Sequence, residues 1–107
     1  MVLFFVEMTV LAEKRKEVWQ TISSLVTHIK MEEGCLDAGF YQNAEEANNF
    51  LFLGRWADRD SLDAYLKSVQ FTVLFGIRCL LSHEPKIMIG EVAALTRDHH
   101  STVKSCG

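Results

Sequence analysis

The sequence predicts one α+β domain of ferredoxin-like design, β-α-β-β-α-β. Its four-stranded antiparallel sheet carries helices on one face. Three observations lead there. The chain has 107 residues, the size of one ordinary domain. Two runs, VLFFVEMTV at 2–10 and FLFLGRW at 50–56, are dense in β-branched and aromatic residues. Between and after them, apolar residues recur at helical spacing.

Taken in order, residues 2–10 form the first strand. A helix is expected over 13–30, where Val18, Ile22, Leu25, Val26 and Ile29 make one apolar stripe. Gly34 is placed to stop it. The second strand spans 35–43, with Leu36, Ala38 and Phe40 alternating with Asp37, Gly39 and Tyr41. A polar turn at 43–49 leads into the third strand, 50–56, and the short connection predicts an antiparallel hairpin. Asp58 or Asp60 caps a helix whose apolar face is Leu62, Tyr65, Leu66 and Val69. Residues 70–81 continue as a helical run, apolar nearly all round and so buried on most sides. Pro85 breaks the chain, and residues 86–95 form the fourth strand. The domain is therefore 1–95, and 96–107 is a polar C-terminal tail.

Composition excludes several classes. The chain is 49% hydrophobic and 23% charged, which is globular. Net charge is −3 and no basic stripe is interleaved with aromatics, so nucleic acid is not an expected partner. Lys14, Arg15 and Lys16 are flanked by Glu13 and Glu17 and read as a solvated helix face. The apolar start carries Glu7 and lacks the basic flank of a signal peptide, and it is too short to span a bilayer. Cys35, Cys79 and Cys106 are scattered and odd in number, which predicts a reducing compartment, with Cys35 and Cys79 as small core residues. The expected location is cytoplasmic, with no membrane association.

Strands one and three are apolar at consecutive positions, so they place apolar side chains on both sheet faces. One face takes the helices. The other needs a cover, because large exposed apolar patches are uncommon on monomers. A second copy packing sheet to sheet is the expected cover. The alternative is the C-terminal run folding over that face.

Glu33-Gly34, Tyr41 and the stretch GRWADRDSLDAYLKSVQF at 54–71 are similar to the antibiotic biosynthesis monooxygenase (ABM) family of dimeric α+β barrels. The resemblance covers residues 2–95. It implies a homodimer with one pocket per subunit, between sheet and helices. It also implies oxygenation of quinol-like or polycyclic aromatic small molecules with O2, without flavin, haem or metal. Electron-rich enolates and hydroquinone anions reduce O2 themselves, so the protein supplies an apolar pocket, a deprotonation route and donors for the developing oxyanion.

Carried over residue by residue, Trp56 matches the family's pocket Trp and Tyr65 its helix aromatic. Catalytic antibiotic-pathway members have an Asn four residues before that Trp, where this chain has Phe52. Haem-degrading relatives use a strand-one Asn and a helical His; here strand one has no Asn, and Phe75 stands near the His position.

The expected catalytic residues are Trp56 (donor), Tyr65 (proton donor) and His28 (base near neutral pH). Arg78, a lone charge in an apolar run, and Phe52, Phe71 and Phe75 are the expected substrate-binding residues. Each has a plainer reading. Trp56 and Tyr65 fill the helix–sheet gap, His28 interacts with its helix end, and Arg78 snorkels at a rim. Arg55 should face the dimer seam and meet Glu7 or Glu91. His99, His100 and Cys106 have no recognised ligand spacing, so no metal or cofactor is expected. A non-catalytic binding or stress-associated module, and an isomerase or decarboxylase, are the rival functions on this fold.

Overall fold

The strand over Val2–Thr9, β1, buries every second residue, and Val2, Phe4, Val6 and Met8 point inward. The computed structural model describes residues 1–93. The fourth strand, expected over 86–95, ends at Glu91, since 92–93 are not strand; residues 94–95, the tail at 96–107 and the residues His99, His100 and Cys106 lie outside the described residues. After β1, a 3-10 turn at Ala12–Lys14 leads into α1, Arg15–Ile29. Then come β2 (Cys35–Gln42), β3 (Asn49–Trp56), α2 (Arg59–Leu66) and α3 (Val69–Gly76). A 3-10 turn at Ile77–Leu80 precedes β4, Lys86–Glu91.

The sheet order is β2-β3-β1-β4, with every neighbouring pair antiparallel. This is the βαββαβ ferredoxin-like arrangement. The two strands at the middle of the sheet, β1 and β3, pair along their whole length, Val2 with Trp56 through Thr9 with Asn49. The inner face meets Val18, Ile22 and Ile29 of α1, Leu62 and Tyr65 of α2 and Leu74 of α3 in one core. Phe4 and Phe52, on adjacent strands, meet edge to face at 6.3 Å. Each fully buried large side chain contributes about 1.5–3 kcal/mol.

The outer face carries Leu3, Phe5, Leu51, Leu53 and Met88, none of them packed into that core. Arg55 does face this side, but its carboxylate is Asp37 on the neighbouring strand, at 3.0 Å, rather than Glu7 or Glu91. Glu7 pairs instead with Lys86 across β1 and β4. The Asp37 carboxyl is held below its usual range, first by the Ala38 backbone N–H and then by Arg55.

Local details depart from expectation for identifiable reasons. A register irregularity between Cys35 and Asp37 turns Leu36 out to solvent and puts Cys35 opposite Trp56. The helical run after residue 70 is not buried all round: Leu74 and Ile77 face the core, while Val69 and Val73 are exposed. Cys79 is exposed rather than a core residue. Asp58 caps α2 as expected, accepting from the Ser61 N–H at 2.8 Å. Ser68 makes a second junction. Its hydroxyl donates to the Tyr65 carbonyl at 2.6 Å and accepts from the Phe71 N–H at 3.3 Å, so it ends α2 and starts α3.

Gly34 does not stop α1, which ends at Ile29. It turns the following loop into β2 with φ of 82°, and a Cβ there would overlap the Ser61 side chain. Gly34→Ala is expected to lower the unfolding free energy by about 1–2 kcal/mol for the left-handed backbone alone, read by urea denaturation. Gly76→Ala, at the end of α3, where a Cβ meets open space, is the control and should not lower it.

Candidate active site

Two aromatic side chains meet at the centre of the helix–sheet layer. Trp56 ends β3 on its inner face and is fully buried. Tyr65 lies on α2 one turn after the buried Leu62. Their rings stack at 4.9 Å with 25° between planes. Two neighbours surround the pair: Phe4 meets Tyr65 edge-on at 6.3 Å, and Phe71 meets it at 5.7 Å. Phe71 in turn lies 5.6 Å from Phe75, and the Arg78 guanidinium sits 4.6 Å above the Phe75 ring. A continuous row thus runs Trp56–Tyr65–Phe71–Phe75–Arg78, from the sealed core to the surface.

The outer end of the row borders an apolar cleft. Val6 and Met8 form its floor, Phe71, Leu74 and Phe75 one wall, and Arg78 its rim. It is shallow, with about 10 Å³ of interior space, enough for one water molecule. Trp56, Tyr65 and Phe52 do not line it; they lie buried in the core.

Packing leaves two donors without acceptors. The Trp56 Nε1–H and the Tyr65 hydroxyl are buried and have no hydrogen-bond partner among the described residues. An unsatisfied buried donor costs roughly 1–3 kcal/mol, and native cores hold few of them. Burial, followed by the neighbouring Cys35 and Glu32, pushes the Tyr65 phenol far above its ordinary range. Tyr65 is therefore a protonated donor throughout the neutral range, and not a base. Cys35 stands opposite Trp56 in register; burial raises its thiol, which donates weakly to the Asp37 carbonyl at 3.5 Å.

Of the residues expected at a site, the fold brings Trp56, Tyr65, Phe71, Phe75 and Arg78 into one row, with Phe52 beneath it against Phe4. His28 stands apart. It is exposed on α1, and its Nδ1 lies 3.1 Å from the carbonyl oxygen of Ser24 on the same helix. Cys35 and Phe4 were not expected at the site. Phe4 is signalled only by its place on the inner face of β1, and Cys35 by a strand irregularity that alternation does not reveal. No group of three metal-ligating side chains occurs among the described residues.

A four-stranded antiparallel sheet in βαββαβ order, with an aromatic row between sheet and helices, places this chain among the small ferredoxin-like α+β proteins. Residues 1–75 match the family described as antibiotic biosynthesis monooxygenase, and the chain belongs to that family. Solved structures agree on the fold. One described as an antibiotic biosynthesis monooxygenase superimposes with a TM-score of 0.79 at 19% identity, covering 88% of this chain and all of that one. A protein from Deinococcus radiodurans gives 0.83 at 17% identity, covering 94% of this chain and 100% of that one. A conserved protein from Methanosarcina mazei Go1 is 31% identical, with a TM-score of 0.78 over 83% of this chain and 89% of that one. An uncharacterized protein of Synechocystis sp. is 29% identical over 59 residues, which is 55% of this chain but only 40% of that longer protein.

The unpartnered hydroxyl gives a direct test. Tyr65→Phe is expected to raise the unfolding free energy by about 1 kcal/mol, because it removes a desolvated donor and keeps the ring. A loss of stability of that size in denaturant titration would mean that the hydroxyl has an acceptor.

Proposed function

We propose that this chain is a cofactor-independent monooxygenase that uses O2 on quinol-like or polycyclic aromatic small molecules. The observation that carries the reading is the stacked Trp56–Tyr65 pair with both donors buried and unpaired. Donors kept desolvated at a folding cost are suited to an oxygen atom that gains charge during a reaction. Family membership supports oxygenase chemistry, and the aromatic walls suit a flat ring system.

The reaction balances without a further redox partner. Arg78 favours the anionic form of the substrate, whose proton passes to solvent. The anion gives one electron to O2, and the resulting carbon radical and superoxide form a C–O bond. The peroxide takes up a proton, with Trp56 and Tyr65 donating hydrogen bonds to its oxygens. Loss of water, made from the second C–H proton and the terminal oxygen as hydroxide, leaves a carbonyl. In sum, CH2 and O2 become C=O and H2O. His28 takes no part in these steps. Phe71 and Phe75 separate the cleft from Tyr65, so α3 must move aside for a substrate ring to reach the donors. A second reading, a non-catalytic small-molecule-binding module, is favoured by the cleft, which neither Trp56 nor Tyr65 lines.

We also propose that the outer sheet face is a homodimer seam. Leu3, Phe5, Leu51, Leu53 and Met88 form an apolar surface across three strands, with the Arg55–Asp37 and Lys86–Glu7 pairs at its flanks. Among the described residues no helix is long and apolar enough to cross a membrane. The scattered cysteines suit a reducing, cytoplasmic setting.

An oxygen electrode with a panel of hydroquinones and anthrones, and no added cofactor, tests the activity. Uptake is expected, falling about a hundredfold in Trp56→Phe and Tyr65→Phe; binding without uptake would favour the non-catalytic module. For the assembly, sedimentation velocity at micromolar concentration should give twice the single-chain mass. Phe5→Lys should reduce this to one chain with the circular dichroism spectrum unchanged, and a wild-type monomer would refute the seam.

A further inference from the structure

Gly54 lies on the inner face of β3, two residues before Trp56, between Phe4 on β1 and Ala38 on β2. The glycine and the alanine leave a shallow notch in an otherwise bulky face. The indole of Trp56 lies back over this notch. A Cβ added to Gly54 would stand 2.9 Å from Trp56 Nε1 and 3.7 Å from Trp56 Cδ1. The contact falls on the pyrrole edge that carries the unpartnered N–H. The other near atom is a Phe52 ring carbon at 3.7 Å, an ordinary contact.

The indole cannot easily yield. It is fully buried, and it stacks face to face on Tyr65. An unstrained contact begins near 3.4 Å, so a methyl group at residue 54 would require the donor edge to retreat by about half an ångström. The ring has little room for that retreat, because it stacks on Tyr65, which itself meets Phe4 and Phe71. The backbone needs no glycine here, since Gly34 alone has a positive φ among the described residues.

We infer that Gly54 is a positioning residue that sets the location of the Trp56 indole N–H by giving up its own side chain. Its catalytic consequence rests on the monooxygenase reading; its structural consequence does not. Gly54 touches no substrate and acts only through Trp56. It also links two positions in the chain: a larger residue at 54 is compatible only with a smaller ring at 56.

The test is a cycle of Gly54→Ala and Trp56→Phe in a Trp19→Phe background, where Trp56 is the sole tryptophan. Gly54→Ala alone should change the near-ultraviolet circular dichroism and emission of Trp56 and lower the unfolding midpoint. Combined with Trp56→Phe, most of that loss should disappear, because the pyrrole edge is gone. In the oxygen electrode, Gly54→Ala should lower kcat about tenfold with KM little changed, as expected for a displaced donor. Additive losses in the cycle with an unaltered Trp56 signature would overturn the inference. If Gly54→Ala does not fold, folding of the double variant supports it and failure of both refutes it. Absence of oxygen uptake by the parent protein would remove the monooxygenase reading, while the cycle and the spectra would still decide the role of Gly54.

Discussion

A β-strand sends successive side chains to opposite faces, and in β1 and β3 both sets are apolar. The rest of the structure answers that constraint. The inner set, from Val2 through Met8 and from Phe50 through Trp56, draws α1, α2 and α3 onto one side and forms the core. The outer set remains without cover from those helices. Because β1 and β3 pair along their full length at the middle of the sheet, they also fix where the end of β3 lies beneath α2. Trp56 and Tyr65 meet there.

The same layer holds an energetic inconsistency that a purely structural core would avoid. A phenylalanine in place of Tyr65 would fill the same space without burying a hydroxyl, and a smaller aromatic in place of Trp56 would bury no N–H. The protein keeps both donors desolvated, at the inner end of an aromatic row whose outer end borders an apolar cleft with a cation at its rim. Sites that depart from the most stable choice at adjacent positions are often those where function and stability oppose each other.

Much of the architecture is legible in the residues because it follows from local composition and spacing. Runs of β-branched and aromatic residues locate β1 and β3, helical spacing locates α1, and Asp58 announces the start of α2. The row of Trp56, Tyr65, Phe71, Phe75 and Arg78 is also legible, since a loose family pattern and a lone charge in an apolar run both point to it. What escapes is non-periodic. The irregularity at Cys35–Asp37 exchanges Leu36 for Cys35 on the inner face, and no local pattern encodes it. The partner of Arg55 is decided by strand register, which brings Asp37 alongside. The exposure of Val69, Val73 and Cys79 follows from a helical layer too narrow to surround α3 and the turn after it. His28 has the chemistry of a base, yet its position on α1 turns it to solvent.

The Ser68 junction has a mechanical meaning. One hydroxyl grips the last carbonyl turn of α2 and the first N–H turn of α3, so the two short helices form a latched elbow, to which the Ser68 N–H and the Thr72 hydroxyl add bonds to the Tyr65 and Ser68 carbonyls. Tyr65 lies just before the latch, while Phe71 and Phe75 sit one helical turn apart just beyond it. Under the proposed oxygenase reading, a rotation about the elbow that admits a substrate ring would carry both phenylalanines together. The stacked Trp56–Tyr65 pair lies on one side of that junction and the two outer phenylalanines on the other.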